Sequence, residues 1–125
     1  MTILGQRRQD PVAHVECFAA PAGVTTVRFS TDELASMCPV TRQPDLSRLV
    51  IEYGPDRRCV ESKSLKLYLW SFRDRAVFAE ALAAEIAEEI HATAAPLWVR
   101  VKLTQHPRGG ITVEAVAEAG APVVG

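Results

Sequence analysis

The sequence predicts an α+β domain, an antiparallel sheet with helices on one face, from three observations. β-Branched segments bounded by Gly and Pro occur near both ends of the chain. An Ala-, Glu- and Leu-rich segment between them is typical of a long helix. Strands, then helices, then strands indicate a sheet covered on one side. With 125 residues, the chain is predicted to form a single domain at 12–125 after a flexible stretch at 1–11.

The elements of the first half are predicted from turn residues and helix caps. Ser30 precedes Glu33 by three positions, the spacing of a capping box, so a short helix is expected there. The predictions are strands at 12–20 and 25–29, a turn at Pro21-Ala22-Gly23, a helix at 30–37, a loop at 38–45 and a strand at 47–53.

The segment VESKSLKLYLWSF at 60–72 fits both a strand and a helix, and its good helix formers favour the helix. A second helix is predicted from Asp74 to His91. Its buried stripe is Phe78, Leu82, Ile86 and Ile90. The remaining predictions are strands at 97–103 and 111–119, a turn at 107–110, and polar faces carrying Arg100, Lys102, Glu114 and Glu118.

Charge and composition exclude several functional classes. A net charge of −1 argues against nucleic acid as the main partner. No apolar run approaches the roughly 20 residues that span a bilayer, and no signal peptide is recognisable, so a cytoplasmic protein without a membrane partner is expected. Cys17 and Cys59 are predicted to be packing or neutral positions. Neither the cysteines nor the histidines have the spacing of a metal site.

One small sheet leaves its edge strands exposed. Exposed edges are normally protected or paired. Edge-to-edge association of several copies of the chain would solve this problem, so a homo-oligomer is expected.

Cys38 and Asp45 are candidate catalytic residues. Cys38 lies in a Pro-bounded loop, where a thiolate would be a strong nucleophile if its surroundings were electropositive. Asp45 could donate a proton if burial favours its protonated form. The alternative is structural: Cys38 fills space and Asp45 caps a turn.

Two lysines stand at the start of the helix predicted within 60–72. Lys63 and Lys66 share one helix face, and with the hydroxyls of Ser62 and Ser64 they could bind a phosphate. The alternative is a solvated helix start in which Glu61 pairs with a lysine.

Glu80 lies away from the apolar stripe of the second helix. It is either a solvent-exposed glutamate or a carboxylate offered to a subunit interface, where it would accept N–H groups from a purine-like ring. The tight turn at Gly109-Gly110 explains the glycines but not the basic pair His106 and Arg108 beside them.

Three segments, CPVTRQPD, VESKSLKLYLWSFR and PRGGI, together resemble the QueF-type NADPH-dependent 7-cyano-7-deazaguanine reductases of queuosine biosynthesis. The resemblance covers about residues 30–115, and Glu-Ser-Lys-Ser-Leu-Lys-Leu-Tyr is the cofactor signature of that family. It implies the tunnelling fold, in which sheets of several subunits join into barrels. It also implies a decamer of two pentamers with active sites between subunits.

The resemblance also implies a role for each candidate residue. Cys38 would attack the nitrile carbon, and Asp45 would deliver a proton to the nitrogen. NADPH is the implied cofactor, and no metal is needed. The implied substrate-binding residues are Glu80, Glu61 and Ser62, and the implied cofactor-binding residues are Lys63, Ser64, Lys66, Arg108 and Gly109.

Two departures from the family pattern affect the expected chemistry. The family usually has Phe-His-Glu where this chain has Phe78-Ala79-Glu80, and losing a general acid or base costs roughly 10²- to 10⁴-fold in rate. The turn in LTQHPRGG is longer than usual, and His106 within it is a candidate to compensate.

Two other functions remain open. A related amidinotransferase-type enzyme would form the same thioimide but use an amine in place of hydride. A non-catalytic deazapurine-binding protein would keep the pocket alone. The intact cofactor signature argues against the first, and Cys38 with Asp45 argues against the second.

Overall fold

The computed structural model of the protein describes residues 10–121. Residues 1–9 of the predicted flexible segment lie outside this range. The elements in chain order are β1 (Cys17–Ala19), β2 (Val27–Met37), β3 (Pro44–Gly54), β4 (Arg58–Val60), α1 (Ser62–Trp70), α2 (Ala79–Ala94), β5 (Trp98–Arg108) and β6 (Ile111–Gly120).

The main sheet has four antiparallel strands in the order β2-β3-β5-β6, and β1 pairs with β4 in a separate two-stranded sheet. The predicted α+β class, the strand at 47–53 and the helix within 60–72 are therefore confirmed. The strand predicted at 12–20 is much shorter, because only Cys17–Ala19 pair with β4. The predicted loop at 38–45 ends early, since Pro44 and Asp45 already belong to β3.

The helix predicted at 30–37 is wrong. These residues continue β2, which pairs with β3 as far as Met37↔Pro44. A bulge between Thr31 and Leu34 inserts one extra residue and changes which residues of β2 face inward. Ser30, Thr31 and the four residues after the bulge pair with β3, and that tertiary pairing outweighs a local capping pattern.

Helix α2 covers the inner face of β5 and β6. Leu82, Ile86 and Ile90 are at most 1 % exposed, which confirms three members of the predicted stripe. The prediction that Phe78 belongs to the buried stripe is wrong, because Phe78 is 56 % exposed and precedes the helix in extended backbone. Since the helix begins at Ala79 and not at Asp74, Phe78 is not on the packed helical face.

The predicted strands at 97–103 and 111–119 form a longer hairpin than expected. β5 extends to Arg108, and only Gly109 and Gly110 make the turn, with φ of 59° and 80°. Glycine is favoured at both positions because positive φ is strained for other residues. On the outer face the Nζ of Lys102 is 3.5 Å from a carboxylate oxygen of Glu114, which agrees with the predicted polar surface.

Candidate active site

Cys38 begins the short connection between β2 and β3. Its N–H donates to the carbonyl of Gln43 at 2.9 Å, and its carbonyl accepts from the N–H of Arg42 at 2.9 Å. Arg42 has a φ of 60°, which turns the chain back towards β3. These two hydrogen bonds close the loop and hold the backbone of Cys38 in one position.

The surroundings of the Cys38 thiol favour the thiolate. The Thr41 hydroxyl, followed by the backbone N–H groups of Thr41 and Val40, hydrogen-bonds the sulfur and lowers the pKa of Cys38 below its ordinary value. Partial burial and the carboxylate of Asp45 act in the opposite direction. Since the thiolate is the nucleophilic form, this loop is suited to a nucleophilic cysteine.

Asp45 lies on the inner face of β3, directly opposite Ser36 of β2. It is 5 % exposed, and its charge acts on Cys38. The structure thus brings the two predicted catalytic residues together at one end of the sheet. A carboxyl group beside a thiolate can deliver a proton to a group that the sulfur attacks.

The start of α2 is held at the same end of the sheet. Met37 donates its N–H to the carbonyl of Arg75 at 2.8 Å and accepts from the N–H of Val77 at 3.1 Å. Glu80, in the first turn of α2, is exposed, as predicted. Ala79 is 4 % exposed and packs in the core.

The hairpin between β5 and β6 also projects from this end. Ser47 pairs with Gln105, so the hairpin tip lies beyond the part of β3 that carries Asp45. His106 and Gly109 are exposed there. The Cys38 loop, the start of α2 and this hairpin therefore surround one end of the inner face.

A groove of about 470 Å³ runs between α1 and the inner face of β2 and β3. Ser62 and Lys66 are at its rim, whereas Lys63 does not line it. Leu34 and Leu49 form part of its floor, and on the same face Ser36 and Asp45 follow towards Cys38. The groove thus has a cation at its rim, and the catalytic pair lies further along the same face of the sheet. Its full lining is Phe29, Ser30, Thr31, Glu33, Leu34, Leu49, Ile51, Ser62, Leu65, Lys66, Leu67, Leu69 and Trp70.

Glu61 and Ser64 serve the helix itself. The carboxylate of Glu61 caps α1 by accepting from the N–H groups of Lys63 at 2.8 Å and Ser64 at 2.7 Å. Ser64 is 0 % exposed, and its hydroxyl accepts from the N–H of Glu16 at 2.7 Å. Both side chains stabilise the start of α1, and we exclude Ser64 from the ligand contacts proposed below.

The other candidates do not join this site. Cys59 is buried and Cys17 is half-buried, and burial raises the pKa of Cys17. His14 hydrogen-bonds Glu89 at 3.0 Å, a contact that the sequence did not predict. Among residues 10–121 no group of three or more His, Cys, Asp or Glu side chains is arranged to hold a metal ion. That same range contains no helix with the length and apolarity needed to cross a bilayer.

Sequence reasoning missed Thr41, Ser36 and Ser47. Thr41 stands three positions after Cys38 in a turn, where hydroxyl side chains commonly bond nearby groups, and that signal was available. The two serines are 1 % exposed on the inner face beside Asp45. Ser36 could be placed only by reading residues 30–37 as a strand, whereas Ser47 already lay in the strand predicted at 47–53.

A scan against protein-family models matches residues 44–123 to the family described as QueF-like protein. The chain belongs to the QueF-like family. The matched range includes Asp45, the capped helix α1, Glu80 and the β5–β6 hairpin. The family predicted from the three sequence segments is therefore confirmed.

Curated relatives of this QueF-like protein carry the name NADPH-dependent 7-cyano-7-deazaguanine reductase. The protein of Methylocella silvestris is 48% identical over 98 residues, 78% of this chain and 64% of its own length. That of Granulibacter bethesdensis is 37% identical over 128 residues, 98% of this chain and 84% of its own length. The chain spans less than two thirds of the length of the first relatives: 64% of the protein from Methylocella and 65% of the protein from Chelativorans.

A solved structure supports the fold. The crystal structure of the archaeosine synthase QueF-Like in the apo form matches 79% of this chain and 97% of its own, with a TM-score of 0.74 and 29% identity. This likeness is consistent with the tunnelling fold that the resemblance implied.

Proposed function

We propose that this QueF-like protein is an NADPH-dependent oxidoreductase that converts 7-cyano-7-deazaguanine to 7-aminomethyl-7-deazaguanine in queuosine biosynthesis. One observation carries the proposal: Cys38, with its lowered pKa, stands beside buried Asp45, and Asp45 lies on the same sheet face as a groove lined by Lys66. The names of the curated relatives support the same activity.

Cys38 and Asp45 carry the first chemical step. The Cys38 thiol gives its proton to the Asp45 carboxylate, and the resulting thiolate attacks the nitrile carbon. An S–C bond forms as one C–N π bond breaks, and the nitrogen takes the proton from Asp45. The product is a covalent thioimide, and Asp45 is left as a carboxylate. Covalent attachment converts an unreactive nitrile into a hydride acceptor and retains it while cofactors exchange.

NADPH supplies a hydride for each of two reductions. Cys38 leaves as a thiolate after the first reduction, which yields an imine, and the second gives the amine. The hydrogen bond from Thr41 favours the thiolate and so makes it a better leaving group.

Lys66 is the proposed main contact for the cofactor phosphates, because it stands at the groove rim beside Ser62. Lys63, Arg108 and Gly109 are proposed as further cofactor contacts. The groove then guides the reactive end of the cofactor along α1 towards Cys38. The apolar floor from Leu34 and Leu49 suits a flat ring and excludes water from it.

Glu80 is proposed to bind the deazapurine ring, together with Ser62, while Glu61 contributes by capping the helix that carries Ser62. We further propose a homo-oligomer, a decamer of two pentamers with sites between copies. The exposure of Phe78 at 56 % and Val40 at 78 % beside the Cys38 loop supports a second copy covering this end.

One observation favours a second function. The structurally similar protein is described as an archaeosine synthase, so an amine could attack the thioimide in place of hydride. This amidinotransferase-type reaction uses the same Cys38 and Asp45 but has no need of Lys66.

The test mixes the purified protein with 7-cyano-7-deazaguanine and NADPH and follows NADPH oxidation by absorbance and the protein by mass spectrometry. We expect two NADPH per substrate and one adduct that disappears in Cys38→Ala. Adduct formation without NADPH consumption would favour the amine-transfer reaction. An adduct that survives Cys38→Ala would rule out both schemes.

A further inference from the structure

The helix that carries the lysines stands away from the sheet. The groove separates Leu65 and Leu69 of α1 from Leu49 and Ile51 of β3. A helix of nine residues over a groove needs other contacts to hold it, since so short a helix is marginal by itself.

Those contacts come from the segment Val12–Glu16, which we call the strap. The N–H of Glu16 donates to the Ser64 hydroxyl at 2.7 Å, and its carbonyl accepts from the N–H of Glu61 at 2.8 Å. The N–H of Val12 donates to the carbonyl of Leu67 at 3.2 Å, near the other end of α1. The strap therefore holds α1 along its length.

The Glu89 side chain bonds the strap to α2, and Val15 of the strap is buried in the core. The carboxylate of Glu89 accepts from the backbone N–H of Val15 at 2.9 Å and bonds the ring of His14 at 3.0 Å. Thr93 donates to the same carboxylate at 3.0 Å and orients it. The Glu89 side chain is only 11% exposed, so these are partly desolvated, charge-assisted bonds.

We propose that Glu89 is a positioning residue for cofactor binding: through the strap and Ser64 it holds α1, and with it Lys66, at the rim of the groove. This rests on the proposed function only in naming NADPH as the ligand. Glu89 does not line the groove and lies on a different helix from Lys66. Its effect should therefore reach cofactor affinity and spare the reaction of Cys38.

The test compares Glu89→Ala with Glu88→Ala, since Glu88 is an exposed glutamate of the same helix. In Glu89→Ala we expect faster amide hydrogen exchange in α1 without ligand, while core amides of β5 stay protected. The dissociation constant for NADPH should rise about fivefold, which is equivalent to about 1 kcal/mol at 25 °C. The yield of thioimide adduct should not change. Glu89→Gln keeps an acceptor for Val15 and should restore most of the affinity.

Exchange in α1 that is equal in Glu89→Ala and Glu88→Ala would overturn the proposal. A parallel loss of NADPH affinity and adduct yield would also overturn it, because that pattern indicates general destabilisation. If the unaltered protein binds no NADPH, the proposed reductase function fails, and the exchange comparison still decides whether the strap holds α1.

Discussion

The hydroxyl of Thr41 hydrogen-bonds the thiol of Cys38 within one closed loop, and it is the largest influence that lowers the pKa of Cys38. The same oxygen accepts from the N–H of Gln43 at 3.3 Å, which orients it. A hydroxyl donor stabilises the negative sulfur more than the neutral thiol. The loop thus prepares the nucleophile through hydrogen bonds from its own residues.

Replacing Thr41 tests this relationship. In Thr41→Val the thiolate loses its strongest hydrogen bond, so the pKa of Cys38 rises and less thiolate is present at neutral pH. The rate of iodoacetamide alkylation, measured across pH, should reach its half-maximum at a higher pH than in the unaltered protein. Thr41→Ser keeps the donor and is the control. Identical profiles for Thr41→Val and Thr41→Ser would show that the hydroxyl has no such role.

Asp45→Asn should separate two properties of Cys38. Removing the carboxylate removes an influence that raises the pKa of Cys38, so alkylation at neutral pH should become faster. Thioimide formation should nevertheless fall by roughly 10²- to 10⁴-fold, since the proton donor is lost. Alkylation kinetics and adduct mass measure the two effects. Asp32→Asn is the matched control, because Asp32 is exposed on β2 and pairs with Arg48. If both rates fell together in Asp45→Asn, the residue would be structural.

NADPH binding should depend more on Lys66 than on Lys63. Lys66 stands at the groove rim and Lys63 does not line the groove, so Lys66→Ala should weaken NADPH binding more than Lys63→Ala. A lost charge-assisted contact with phosphate corresponds to about 1.5–3 kcal/mol, or roughly tenfold or more in affinity. Titration of NADPH by fluorescence measures this, and both variants should still form the adduct. Equal or larger loss in Lys63→Ala would argue against the groove as the cofactor site.

Restoring the histidine of the family pattern at position 79 should destabilise the fold. Ala79 is 4 % exposed against the core, so Ala79→His forces a larger polar ring into packed space. We expect a loss of about 1–3 kcal/mol in the free energy of unfolding, measured by urea denaturation. Ala81→His, at an exposed position of the same helix, is the control. Equal stability of the two variants, with faster reduction in Ala79→His, would show that the ring can turn into the site.

Local patterns predicted much of this protein. The helix with Leu82, Ile86 and Ile90, the strand at 47–53 and the turn at Gly109-Gly110 were all readable, because periodicity and backbone preference act over a few residues. The Cys38 loop was readable for the same reason. The family segments identified the QueF-like family before any contact was known.

Local pattern could not decide how distant segments pair. Ser30 and Glu33 have the spacing of a helix cap, yet they lie in a strand. Ser30 pairs with β3, and Glu33, in the bulge, donates its N–H to the Thr31 hydroxyl. The same pairing brings Asp45 beside Cys38. Ser64 reads as a ligand contact in the sequence, but its hydroxyl faces Glu16, which is distant in the chain. The sequence by itself determined α1, most of α2, the strand at 47–53 and the nucleophile loop. The tertiary structure decided that residues 30–37 form a strand, and which polar groups face the groove and which hold α1, because hydrogen bonds between distant segments set those directions.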